Sequence, residues 1–221
     1  MDHHKFCFIC CSNHVMSLEE CLLYIHRLYV PEGYSVETLS IEDATSMTSG
    51  YNEGMKASDA VYKIYLHQDV RIINRHFLED ILKVFKTDEN IGMIGMVGTE
   101  KMAIDGMMWH NYRLGALYGE TSIEKNYGEY MFSTEDGIYD VDAIDGFLMV
   151  TRKDLPWRED LFDGWDFYDI SQSFEMKRAG YRIVVPGQAN PWCVHDDGII
   201  SLRNYNFYRK KCLEEYREFF E

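Results

Sequence analysis

The 221-residue chain reads as an α/β protein with a mainly parallel, Rossmann-like central sheet flanked by helices. Three observations predict this. Short β-branched and aromatic runs alternate with amphipathic stretches, an order that calls for a parallel sheet with right-handed crossovers. One of those runs, Lys63-Ile-Tyr-Leu-His-Gln-Asp69, is too short for a helix and ends abruptly at a carboxylate. A polar, glycine-containing stretch, Ser49-Gly-Tyr-Asn-Glu-Gly54, stands shortly before it and reads as a turn opening a helix.

The elements follow in order. Residues 6–11 form a first strand that ends at Ser12-Asn-His14. Ser17, with Glu20 three positions on, reads as a capping box for a helix over 18–29, which Pro31-Glu-Gly33 breaks. Residues 35–41 are a second strand ending at Glu42-Asp43, 51–58 a helix, and 61–66 a third strand. An amphipathic helix over 76–85 precedes a fourth strand over 91–97. Residues 99–139 then lose periodicity, and they read as loops with one hairpin. A strand over 141–151 is interrupted at Asp145-Gly146. A helix over 167–179 is closed by Gly180, a strand over 181–185 ends at Pro186, and a last helix covers 205–220. With no repeat or linker, one domain over 1–221 is expected: a nucleotide-binding half over 1–100, an acceptor and catalytic half over 101–200, and a C-terminal helix over 201–221.

Composition narrows the function. A formal net charge of -15 argues against a nucleic-acid partner, which needs a basic footprint. No apolar run reaches the ~18 residues of a membrane span, and the first residues carry no secretory pattern, so a cytoplasmic setting is expected. Six cysteines in a chain of this length do not suggest a disulfide framework. Cys7 and Cys10 lie in a strand whose pleat points them to opposite faces, so they read as small buried hydrophobes and not as a zinc pair. The last helix carries Arg209-Lys-Lys211 beside an aromatic face. Contact with an anionic inner membrane face or a second subunit is one reading, and docking on its own domain is the more economical one.

Asp69, at the carboxyl end of its strand, stands where open α/β sheets bind ligands. With no phosphate-cradling glycine loop, a carboxylate there suggests a divalent metal carrying a diphosphate.

The ordered motifs resemble the GT-A fold nucleotide-diphosphosugar transferases, especially glycosyltransferase family 2 and a loosely defined glycosyltransferase-like group that includes StrF-type proteins of streptomycin biosynthesis. Asn52-Glu-Gly54 matches an Asn-x-Gly turn, and His67-Gln-Asp69 matches an Asp-x-Asp-like metal motif. Asp145-Gly-Phe-Leu148 matches a glycine-bearing strand. Tyr168-Asp169 matches an acidic pair opening a helix, and His195 in Cys193-Val-His-Asp-Asp-Gly198 matches a histidine after a short strand. The likeness covers roughly residues 4–200. Two positions depart from it: His67 replaces the first aspartate, and Tyr168 replaces the glutamate of the acidic pair.

The resemblance implies an inverting transferase that moves a sugar from a nucleotide-diphosphate donor, uridine-linked, to a carbohydrate or other hydroxyl acceptor. Ser12, Asn13 and Asp43 would hold the nucleoside, although Asp43 also reads as a helix N-cap. Asn52, Asp145 and Gly146, with Trp165 as a platform, would meet the nucleotide sugar; Trp157 is a second platform candidate. Asp69, with His67 and His195, would hold Mn²⁺ or Mg²⁺, although a lone histidine also reads as a packing residue. Asp169 is the candidate general base, held ionised by the helix dipole, and Asp166 is its competitor. Two other readings stay open. One is a catalytically decayed nucleotide- or carbohydrate-binding module. The other is a sugar nucleotidyltransferase, which would need a glycine-rich basic loop where Ser12-Asn-His-Val-Met-Ser17 stands.

Overall fold

The computed structural model describes residues 1–121, 126–132, 136–196 and 201–220. Asp197 and Gly198 of the histidine motif, parts of the 99–139 segment, and Glu221 lie outside the described residues.

The chain opens with β1 (Asp2–Ser12), α1 (Val15–Ile25), β2 (Ser35–Glu42), α2 (Met47–Ala57) and β3 (Ala60–His67). A two-residue turn, Gln68-Asp69, leads to β4 (Val70–Ile72), then α3 (Phe77–Thr87), β5 (Ile91–Gly95) and β6 (Val97–Thr99). A short 3-10 turn (Met108–His110) precedes β7 (Arg113–Thr121) and β8 (Asn126–Met131). Three short strands follow: β9 (Ile138–Asp140), β10 (Ala143–Ile144) and β11 (Leu148–Thr151). The chain finishes with α4 (Tyr168–Arg178), β12 (Arg182–Pro186), β13 (Cys193–Asp196), α5 (Tyr205–Glu215) and a 3-10 turn over Arg217–Phe219.

Among the described residues the larger sheet has seven strands in the order β2-β1-β3-β11-β5-β12-β9. Strands β2, β1, β3, β5 and β12 run one way, and β11 and β9 run against them. The mainly parallel sheet is therefore present, with one antiparallel strand inserted at its centre. Its faces follow from the pleat of β1: Phe6, Phe8 and Cys10 face the layer holding Cys21 and Ile25 of α1 and Phe77 and Ile81 of α3. Cys7, Ile9 and Cys11 face Met47 and Tyr51 of α2 and Tyr168 and Met176 of α4. All six cysteines are buried free thiols.

A smaller sheet, β10-β6-β7-β13-β4 with β8 paired to β7, stands beside it. Its β7–β8 hairpin lies wholly within the 99–139 segment, where one hairpin was expected. The predicted strands over 91–97 and 141–151 each split between the two sheets: at Met96, and at Asp145-Gly146 where the interruption was expected. Helix α1 begins three residues early because His14, not Ser17, caps it: the His14 ring accepts the Ser17 N–H at 3.3 Å. Helix α2 likewise starts at Met47, with Ser46 and Ser49 exchanging hydrogen bonds as its capping box. The Asn-x-Gly stretch is thus helical and not a turn. Its glycines serve close approach to β1: a Cβ at Gly50 would lie 2.4 Å from Cys11 Sγ, and one at Gly54 2.4 Å from Ile9 Cγ2.

The last helix docks on its own chain. Tyr208, Cys212 and Tyr216 are buried with Phe162 and Phe174. Phe174 stacks on Phe219 at 4.4 Å, and Glu215 receives Arg158 and Arg178. No described helix is long and apolar enough to cross a membrane.

Candidate functional site

Pairing of the small sheet assembles a cluster from two separate segments. His67 ends β3, and Asp69 follows it in the turn. Strand β13 runs antiparallel to β4 with His195 opposite Val70, and the Asp196 N–H donates to the Asp69 carbonyl at 3.2 Å. His195 Nε2 consequently lies 3.5 Å from Asp69 Oδ1 and 3.3 Å from His67 Nδ1, with His67 Nδ1 3.9 Å from Asp69 Oδ1. The donor atoms of the three residues fall within 4.8 Å of one another. Asp69 Oδ1 is buried and lacks a hydrogen bond of ordinary geometry. Burial raises the Asp69 carboxyl, but the His195 and His67 rings outweigh it and leave it below the usual carboxylate range. The ring of His195 is further held by stacking on Phe147, 5.1 Å away at 17°.

Two cavities meet at this cluster. The first, about 390 Å³, is lined by Ser12, Asn13, Asp43, Gln68, Asp69 and Trp165 among others. The second, about 540 Å³, takes in Asp145, Asp166, Asp169, His195 and a set of aromatic rings. His67 and Trp165 line both. Trp165 is 51% exposed, as a platform requires, whereas Trp157 is buried against Tyr51 and Tyr65 and belongs to the core.

Ser12, Asn13 and Asp43 are brought together in the first cavity. Asp43 is not a helix cap; it adopts a left-handed φ of 57° after β2. Gln68, present in the metal-like motif but given no role from sequence, shapes this wall. Its Oε1 accepts from Ser12 Oγ, Asn13 N and His14 N at 2.9–3.0 Å, and its Nε2 donates to Asn13 Oδ1 at 2.7 Å.

Asn52 and Gly146 line neither cavity. Asn52 is 3% exposed and clasps the Trp157 backbone, donating to its carbonyl and accepting from its N–H, both at 2.9 Å. Gly146 makes room for Tyr168, whose hydroxyl would lie 2.2 Å from a Cβ there. Tyr168 in turn hydrogen-bonds His67 Nε2.

Asp169 stands in the first turn of α4, after Phe167 in a left-handed φ of 64°. Such a conformation costs a non-glycine residue roughly 1–3 kcal/mol and is tolerated where surrounding structure enforces it. Asp169 accepts from Gly146 N at 3.0 Å and from Ile170 N at 2.8 Å. The helix dipole does not keep its pKa low: burial, and then the charge of Asp145, push the carboxyl up to about 7 despite those N–H donors. Burial also raises Asp166. Both carboxylates face the second cavity.

Residues 7–216 match the model of the family described as "Glycosyltransferase like family". The chain belongs to that family. Solved structures share the fold at low identity. TarS residues 1–349 of S. aureus in complex with UDP superposes with TM-score 0.60 and 10% identity, over 96% of this chain and 65% of that one. The mannosyltransferase PcManGT of Pyrobaculum calidifontis, in complex with GDP-Man and Mn²⁺, gives 0.56 and 12%, over 94% and 60%. A longer TarS structure gives 0.59 and 10%, over 95% and 39%. The chain thus spans less than two thirds of the length of these relatives. No curated protein matches it. The fold is the GT-A glycosyltransferase fold.

Proposed function

We propose that the protein is a metal-dependent, inverting glycosyltransferase that moves a sugar from a uridine-diphosphate donor to an acceptor hydroxyl. The observation that carries this reading is the junction of the two cavities at His67 and Trp165, with Asp69 on one side and Asp169 on the other. The neighbouring structures, one bound to UDP and one to GDP-Man with Mn²⁺, support a nucleotide-sugar donor.

The first cavity receives the nucleoside, with Ser12, Asn13 and Asp43 offering hydrogen-bond partners. Asp69, His67 and His195 fit a divalent cation: a buried carboxylate oxygen without a hydrogen bond of ordinary geometry faces two imidazoles. One oxygen and two nitrogens suit Mn²⁺ better than Mg²⁺, which prefers oxygen. When bound, the cation neutralises charge on the departing diphosphate. In the second cavity Asp169 takes the proton from the acceptor hydroxyl. The acceptor oxygen then bonds to the anomeric carbon as the bond from that carbon to the diphosphate oxygen breaks. A base titrating at about 7 is matched to this task near neutral pH. The two departures from the family pattern touch each other, which favours a working site over a decayed one.

Thermal unfolding with UDP tests the donor side, because a ligand of the folded state raises the midpoint by mass action. UDP is expected to raise it clearly with Mn²⁺ and weakly without. An Asp69→Ala variant that keeps the Mn²⁺-dependent rise would refute the metal assignment.

A further inference from the structure

Arg113 opens β7 and is paired in register with Thr99 of β6. Its guanidinium lies 4.4 Å over the Phe132 ring and 5.9 Å from the Trp109 ring. All three residues line the second cavity, and Arg113 does not reach the first. Among the described residues it has no ion pair and no side-chain hydrogen bond. Arg158, Arg178 and Arg182, by contrast, each hold carboxylates. Aromatic faces fix the plane of a guanidinium while leaving its N–H fork available, and that fork matches carboxylate and phosphate oxygens in bidentate fashion.

We propose that the acceptor carries an anionic group, carboxylate or phosphate, which Arg113 binds in the second cavity; the inference rests on the glycosyltransferase reading. The donor diphosphate belongs with Asp69, which lines the first cavity and not the second, whereas Arg113 lines only the second; His67 lies between them. Asp145, Asp166 and Asp169 share the cavity with Arg113, so an anionic acceptor needs a cation to hold it there. A neutral sugar would leave the arginine fork unused.

Calorimetric titration tests this, with UDP and Mn²⁺ in excess to fill the nucleotide side. The probes are glucuronic acid, glucose 6-phosphate and glucose. At least one of the two anions should bind about 10- to 100-fold more tightly than glucose, the range of a charge-assisted hydrogen-bonded contact. Preference for glucuronic acid alone identifies a carboxylate, for glucose 6-phosphate alone a phosphate, and for both the shared chemistry. Arg113→Gln should erase the preference and leave Mn²⁺-dependent UDP binding intact. Arg113→Lys, which keeps charge without the fork, should retain part of it and substitutes if the glutamine variant fails to fold. Equal binding of all three probes, no binding of any, or a preference that survives Arg113→Gln overturns the proposal. Loss of Mn²⁺-dependent UDP binding in the wild-type protein would instead overturn the transferase reading.

Discussion

The His67 ring and the Tyr168 hydroxyl share a hydrogen bond through His67 Nε2. These are the two positions at which the chain departs from the sequence pattern it resembles. Engaging Nε2 leaves Nδ1 as the nitrogen turned toward His195 and Asp69. A histidine that ligates a metal commonly has its other nitrogen held in this way, which fixes the ring and its tautomer. The tyrosine that replaces an acid thereby supports the histidine that replaces another.

Tyr168→Phe keeps the ring and removes the hydroxyl. The Mn²⁺ concentration for half-maximal activity should rise about 10- to 100-fold, as for other partners of metal ligands. Activity at saturating Mn²⁺ should stay near that of the parent. A fall in kcat with unchanged Mn²⁺ dependence would assign Tyr168 a different role.

Asp169→Asn should preserve UDP affinity and lower kcat for transfer by roughly 10²–10⁴. Asp166→Asn is the control, since both carboxylates face the same cavity. In the parent, kcat should climb with pH through about 7 as the Asp169 proton is lost. An inactive Asp166 variant beside a fully active Asp169 variant would move the base to Asp166.

The same titration has a consequence for stability. The folded-state pKa of Asp169, about 7, lies above the ~3.9 of an unfolded aspartate. The folded chain therefore binds the proton more tightly, and stability falls as pH rises from about 4 through about 7. Asp169→Asn removes that dependence. Its gain in melting temperature over the parent should grow across this window and level off above it. A gain that is constant with pH would show that Asp169 is not the responsible group.

Asn52→Ala should act on the fold and spare the ligand. It leaves the buried Trp157 N–H without its partner, at about 1–3 kcal/mol for the unsatisfied group, and the Trp157 carbonyl with the Glu159 N–H alone. A melting temperature lowered by several degrees with unchanged UDP affinity is expected. Loss of UDP affinity at an unchanged melting temperature would return Asn52 to the nucleotide site.

The sheet and helices were legible because local periodicity reports them. The alternation Phe6-Cys-Phe-Ile-Cys-Cys11 already assigned its residues to two faces. Metal-site candidates were legible for a different reason: His67, Asp69 and His195 stand in the ordered motifs that the chain shares with the family it resembles, and β13 pairing with β4 brings those motifs into contact. Asn52 failed where the same logic was applied to a residue that the fold turns inward. Its amide is a polar group that needs partners when buried, and sequence does not say whether backbone or ligand supplies them. Arg113, Trp109 and Phe132 were missed because their segment lacks helical period and their neighbours are distant in sequence. One hairpin was expected there, but the pairing of β7 with β6 and β13 is tertiary, and a short window does not contain it.

The buried thiols give this protein an internal clock. Burial pushes Cys7 up to about 11 and Cys11 and Cys21 up to about 12, and it raises Cys10, Cys193 and Cys212 as well, so none offers a thiolate at neutral pH. An alkylating reagent must therefore wait for the structure to open. A molecule that binds only the closed form lengthens that wait in proportion to 1 + [L]/Kd when reclosing outpaces alkylation. The pace of alkylation thus ranks candidate donors and acceptors by occupancy alone, with no product to detect and no reaction chemistry to assume.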